Sequence, residues 1–144
     1  MSNNDLHSNI KAMMAVIPIA LGATGVMAGA IIDRQAYGGL TFIIDYGSIT
    51  TTGTAIAALV KEGDVTGTLT SVADEDLLGT EALAGLAAGA RVAGTGKEVC
   101  KRIGYRGTKR YVQLTLTHSG TTSTGAVAAS AILHSPRTAP VSNP

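Results

Sequence analysis

"KRIGYRGTKRYVQLTLT", Lys101–Thr117, is the stretch that decides the fold. Five of its first ten residues are basic. On either side of "RGTK" the side chains alternate. Val99, Lys101, Ile103 and Tyr105 share one face of a strand, opposite Cys100, Arg102 and Gly104. After the turn, Val112, Leu114 and Leu116 point one way and Tyr111, Gln113, Thr115 and Thr117 the other. A period of two on both flanks of a Gly-containing turn predicts a β-hairpin with a basic rim. The competing reading is a nucleic-acid patch. Only Tyr105 and Tyr111 are there to stack on bases, and the whole chain carries a formal net charge of +1. That is too little for a protein whose main task is coating DNA or RNA.

The same alternation recurs outward from this stretch. "AVAASAILH", Ala126–His134, reads as the last strand, and the proline-rich "SPRTAPVSNP" after it as a tail kept out of any sheet interior. Upstream, "LTFIIDYG" places Leu40, Phe42, Ile44 and Tyr46 on one face, after a turn at Ala36–Gly39. "TAIAALVKEG" does the same with Ile56, Ala58 and Val60, and the two runs read as a second hairpin around "SITTTG". A short strand is expected around Thr68–Val72, a turn at "ADEDLLGT", and a low-complexity loop with one helical turn over 81–96, where Gly85 and Gly89 weaken the helix.

Short strands about ten residues apart, separated by Gly and Thr, predict an all-β protein. Its form is an antiparallel β-sandwich or jelly roll with an extended N-terminal arm. The parse is 1–35 arm, 36–136 sandwich and 137–144 proline-rich tail. The 144 residues suit one domain, but there is no Trp and one Phe, against eighteen Gly and eighteen Thr. A core of Ala, Val, Ile and Leu buries little area per side chain, so association with partners is expected to add stability.

The arm contains "AMMAVIPIALGATGVMAGAII", Ala12–Ile32, 21 residues without a charge. That is the length of a membrane span, but Pro18, Gly22, Gly25 and Gly29 interrupt it. The preceding "MSNNDLHSNIK" lacks the basic start of a signal peptide. The expectation is one or two strands, buried in the core or under a neighbouring subunit, with no membrane partner.

Catalytic and ligand motifs fail on their details. "AGTGKE", Ala93–Glu98, has Arg91 where a phosphate-binding loop needs its first Gly, and Glu98 where it needs Ser or Thr. "DED", Asp74–Asp76, lacks the further ligands of a calcium loop. His7, His118 and His134 have no metal spacing, and no G-x-S-x-G elbow occurs. The lone Cys100 excludes an internal disulfide and fits synthesis in a reducing cytoplasm. No catalytic residue, metal or cofactor is expected. The charges are segregated: six of eleven basic residues lie within Lys97–Arg110, and six of ten acids within Glu62–Glu81. Each group is expected to meet a partner of opposite charge, another copy of the chain included.

"VADEDLLGTE" followed by "VCKRIGYRGTKRYVQLTLTHSGTTSTGAVAASAILHSPRTAP" resembles a group of small structural proteins of tailed bacteriophages, encoded beside the major capsid protein. The shared pattern is carried by Arg102, Gly104, Tyr105, Gly107, Lys109, Arg110, Tyr111 and Val112, then Gly125–Leu133, then Pro136 and Arg137. It spans about residues 36–140 and is strongest after Val99. The resemblance implies a capsid cement, or decoration, protein: a β-sandwich or jelly roll on the outer capsid surface that bridges capsomers against the pressure of packaged DNA. It implies the major capsid protein as partner, self-association as a dimer or trimer, a place in the virion and no catalytic residues. The contact candidates are Lys101, Arg102, Arg106, Lys109 and Arg110 on the basic rim, and Ile17, Ile19 and Leu21 on the arm. The competing readings are a tail or head–tail connector protein and a sugar-binding β-sandwich, the latter disfavoured by the shortage of aromatic rings.

Overall fold

In the computed structural model, which describes residues 5–22, 24–49, 53–89, 98–120 and 125–141, the alternating runs become two facing antiparallel sheets. The strands are β1 (Ile10–Ala20), β2 (Gly25–Asp33), β3 (Tyr37–Gly47), β4 (Ala55–Gly63), β5 (Thr70–Ser71), β6 (Leu77–Leu78), β7 (Val99–Tyr105), β8 (Tyr111–Ser119) and β9 (Ala126–Pro136). One sheet has the order β1-β9-β3-β7-β6 and the other β2-β8-β4-β5. The chain passes from one sheet to the other at almost every connection, the winding of a jelly roll. A single helical turn, α1 (Glu81–Ala84), packs on β4, with the Thr80 hydroxyl accepting from the Leu83 amide at 3.1 Å.

The inward faces are those the alternation marks. Leu40, Phe42, Ile44 and Tyr46 of β3 meet Ile56 and Val60 of β4 and Val112, Leu114 and Leu116 of β8, all buried. Each large apolar side chain so buried contributes about 1.5–3 kcal/mol. The buried Tyr46 hydroxyl donates to the Ala84 carbonyl at 2.8 Å, tying α1 to the core, and burial holds this phenol above its ordinary pKa.

Both expected hairpins are corrected. β3 and β4 lie in opposite sheets, as do β7 and β8. β3 pairs with β7 and β9, and β8 with β2 and β4. Alternation says which side chains face the core but not which sheet carries the strand. The connections 48–54 and 106–110 are long enough to cross the ~10 Å between packed sheets. The stretch read as an arm supplies an edge strand to each sheet, β1 and β2. Pro18 sits on edge strand β1, where its missing N–H is tolerated, inside a register shift between Val16 and Ile19. The turn expected at Ala36–Gly39 lies instead at Arg34–Ala36, with the Tyr37 amide donating to the Arg34 carbonyl at 3.0 Å. At the other end β9 continues through Ser135 to Pro136, opposite Tyr37, so the tail begins later than its prolines suggest.

Candidate functional site

Residues 106–110, the "RGTK" crossing and its last basic residue, form a corner between sheets, and a residue from β2's end holds it. Arg34 Nη1 donates to the Gly107 and Lys109 carbonyls, the latter at 3.0 Å, and Nη2 reaches the Gly38 carbonyl at 3.4 Å. Its guanidinium stacks over the Tyr105 ring, 5.1 Å from the centroid. The Tyr105 hydroxyl donates to Glu62 Oε2 and accepts from the Lys109 amide at 3.0 Å. Burial, then the Glu62 carboxylate, push this phenol well above its ordinary pKa, so it remains a donor. Gly107 is required here, because a Cβ would collide with the Tyr105 hydroxyl.

The basic rim is not one surface. Lys101 turns toward α1 and donates to the Gly85 carbonyl at 2.6 Å. Arg102 is exposed on β7. Arg106 Nε donates to the Glu75 carbonyl at 2.9 Å. Lys109 pairs with Asp64 at 2.6 Å. Arg110 grips Asp33 with two bonds of 3.0 and 2.7 Å and lies over the Tyr111 ring. Part of the acidic segment therefore meets the basic segment within one chain, which corrects the expectation that each awaits an external partner. Arg110 in turn holds the Asp33 carboxyl below its ordinary pKa, and Lys109 does the same for Asp64.

Beside the corner is an open cleft of about 300 Å³, lined by Arg34, Gln35, Tyr37, Lys109, Arg110 and Arg137, with Ala36 and Thr108. Four of these side chains are cationic and none is a carboxylate. The sequence marked Lys109 and Arg110 as contacts, Arg137 only within the family pattern, and Glu62 and Asp64 only as part of an acidic segment; it did not mark Arg34 or Asp33. The signal for Arg34 was its place in "IIDRQ", the first charges after the 21-residue uncharged stretch.

The apolar candidates divide as well. Leu21 is 8% exposed and belongs to the core, so it is withdrawn as a surface contact. Ile17 is 67% exposed, and with Ile19, Met14, Val26 and Met27 it lines a groove of about 340 Å³ between β1 and β2. These two strands are neighbouring edges on the same side of the sandwich. Gly29 allows their close approach: a Cβ there would lie 2.6 Å from both the Ala15 and the Leu114 carbonyl oxygens. β2 shifts register against β8 between Ala28 and Ile31, and the Gln113 amide donates to the Gly29 carbonyl at 2.7 Å.

No group of three or more His, Cys, Asp or Glu is placed to hold a metal among the described residues. Cys100 is exposed, but its hydrogen bond with Asp45 raises the thiol pKa, the opposite of what a nucleophile needs. The "AGTGKE" segment lies outside the described residues up to Lys97. No helix among the described residues is long and apolar enough to cross a membrane.

No protein-family model matches the chain, and no curated protein matches it in sequence. Among solved structures the chain is similar to the PBSX exported protein XepA, with a TM-score of 0.56 and 15% identity over 92% of this chain. It covers 40% of that chain, about two fifths of its length. Looser likenesses are TmCBM61 in complex with β-1,4-galactotriose and the SPBc2 prophage-derived protein YomS. The first has a TM-score of 0.48 and 12% identity, covering 91% of this chain and 85% of that one. The second has a TM-score of 0.44 and 17% identity, covering 92% and 100%. At such identities the likeness is one of fold.

Proposed function

We propose that this chain is a structural, non-enzymatic virion protein that binds the outer surface of a tailed-phage icosahedral capsid and cements neighbouring capsomers. The observation that carries the reading is the corner cleft, with four cations on its walls, of which Lys109 and Arg110 are already paired with Asp64 and Asp33. Its geometry is held before any partner arrives, by Arg34 and Tyr105. A pre-ordered cationic site loses little entropy on meeting an acidic loop. Its charges steer and orient the encounter more than they add affinity. Repeated over a lattice, contacts that are individually weak sum to stable coverage. The resemblance in sequence, strongest from Val99 through Arg137, contains this corner, and the jelly-roll architecture agrees with it. A sugar-binding reading has less support. Sugar faces stack on open aromatic rings, whereas Phe42, Tyr46 and Tyr105 are buried, Tyr37 is half-buried and Tyr111 lies beneath Arg110.

The test is decoration of capsids made without the protein. Cementing requires on the order of hundreds of bound copies per particle and a raised disruption temperature; a connector ring would hold about six to twelve. Charge swaps at Arg106 and Arg110 would break contacts within the fold. Gln35→Glu with Arg137→Glu instead changes the cleft and leaves the Arg34–Tyr105 contacts alone. Occupancy of this variant should fall relative to wild type, and the difference should be largest at low salt, where charge effects are least screened. Wild-type protein that does not bind capsids refutes the reading, and unchanged occupancy of the variant refutes the cleft as the contact.

A further inference from the structure

We infer that the corner cleft is the seat of a single carboxylate, gripped by Arg137. For the source of that carboxylate, an Asp or Glu side chain on a capsid loop, this rests on the function proposed above. The four cations of the cleft are not equally free. Lys109 holds Asp64 at 2.6 Å and Arg110 holds Asp33 at 2.7 Å. Arg34 spends both Nη atoms on backbone carbonyls and its plane on Tyr105, and its Nε is buried without a partner. The exposed Arg137 guanidinium has no hydrogen bond or ion pair with its own chain among the described residues. Backbone geometry sets its place. The Arg137 amide donates to the Ala36 carbonyl at 2.9 Å. Ala36, and Ser135 two residues before Arg137, both hold left-handed angles, φ 73° and 55°, which residues other than glycine seldom adopt. Such strain gathers where a ligand is held.

Charge and shape select the ligand. The four cations stand against three carboxylates at the corner, those of Asp33, Asp64 and Glu62, the last accepting from the Tyr105 hydroxyl. One positive charge is left over. A monoanion balances it, whereas a doubly charged sulfate or phosphate overshoots it. The free guanidinium presents parallel N–H groups in one plane, which match the two oxygens of a carboxylate. Gln35, Tyr37 and Thr108 line the same cleft and add side-chain donors around that position. The cleft is open to water, so one carboxylate binds weakly, and repetition over a lattice supplies the strength.

The experiment is an NMR titration of the free full-length protein, without capsids, following the Nε–H signals of isotope-labelled arginine and the backbone amides. Sodium acetate is the carboxylate probe and sodium sulfate the dianion, each exchanged against chloride at constant ionic strength. Acetate should shift the Arg137 signal and the Gln35 and Ala36 amides saturably, in the millimolar range, and sulfate should bind no more tightly. Arg137→Lys keeps the charge without the fork and alters only an exposed side chain, so the fold should be retained. It should weaken acetate at least about fivefold, the loss of one charge-assisted hydrogen bond. Arg102→Gln, which removes an exposed cation outside the cleft, should leave acetate binding unchanged. No saturable shift of Arg137 up to about 200 mM acetate overturns the inference. Tighter binding of sulfate also overturns it, as does a lysine variant that binds acetate like wild type. Acetate binding by a protein that fails to decorate capsids would uphold the site and overturn its proposed source; decoration without acetate binding would overturn the site alone.

Discussion

Replacing Arg34 by lysine separates geometry from charge at the corner. The arginine reaches three carbonyls, of Gly107, Lys109 and Gly38, and stacks on Tyr105 at 5.1 Å. A lysine keeps the charge but is a point donor on a flexible stem, without a planar face. It retains about one of these bonds. The loss is then two partly solvated hydrogen bonds, about 0.5–1.5 kcal/mol each, the 3.4 Å bond to Gly38 at the low end. Loss of the stacked face removes about 0.5 kcal/mol more. The sum is about 1.5–2.5 kcal/mol, or about 5–8 °C in Tm for a domain of this size. Urea denaturation at pH 7 measures the first and calorimetry the second. Hydrogen exchange gives a local readout, because the Lys109 amide, held by the Tyr105 hydroxyl, should lose protection selectively. A lysine variant within about 0.5 kcal/mol of wild type, with the Lys109 amide still protected, would refute the claim that the guanidinium fork holds the corner.

Other perturbations have definite signs. Arg110 depresses the folded pKa of Asp33, so the stabilisation is present above the unfolded value near 4 and is lost as pH falls below it; Asp33→Asn should flatten this acid limb in urea titrations between about pH 4 and 2. Tyr105 is raised instead, so its contribution is full below the unfolded value near 10 and is lost as pH rises above it. Tyr105→Phe should be less stable at pH 7 yet decline less steeply above about pH 10, as read by denaturant midpoints. Gly29→Ala forces a Cβ against the carbonyls of Ala15 and Leu114 and should cost about 1–3 kcal/mol, with loss of exchange protection concentrated in β1 and β2. Phe42→Ala removes the lone Phe from a fully buried site and should cost about 3–5 kcal/mol in denaturant unfolding.

Alternation in sequence determined which residues form the core. Leu40, Phe42, Ile44 and Tyr46, and again Val112, Leu114 and Leu116, are buried because a strand turns every second side chain to the same face. That rule is local; the uncharged length of the arm, rather than alternation, supplied Ile17 and Ile19 as candidate contacts, and the structure leaves both exposed. Leu21, chosen with them, lies beyond the end of β1, where an apolar residue can face either way, and packing turned it inward. Tertiary structure alone decided strand partnership. "KRIGYRGTKRYVQLTLT" reads as a hairpin by period and turn, yet its two strands lie in opposite sheets, since a loop of this length can reverse the chain or carry it over the core. The same crossing brought Arg34, Asp33, Glu62 and Asp64 to the basic corner from sequence distances of tens of residues. Charge composition determined how many cations exist; only the fold decided which of them meet a carboxylate of their own chain and which line the cleft, Lys109 and Arg110 doing both, because an ion pair depends on distance in space and not along the sequence.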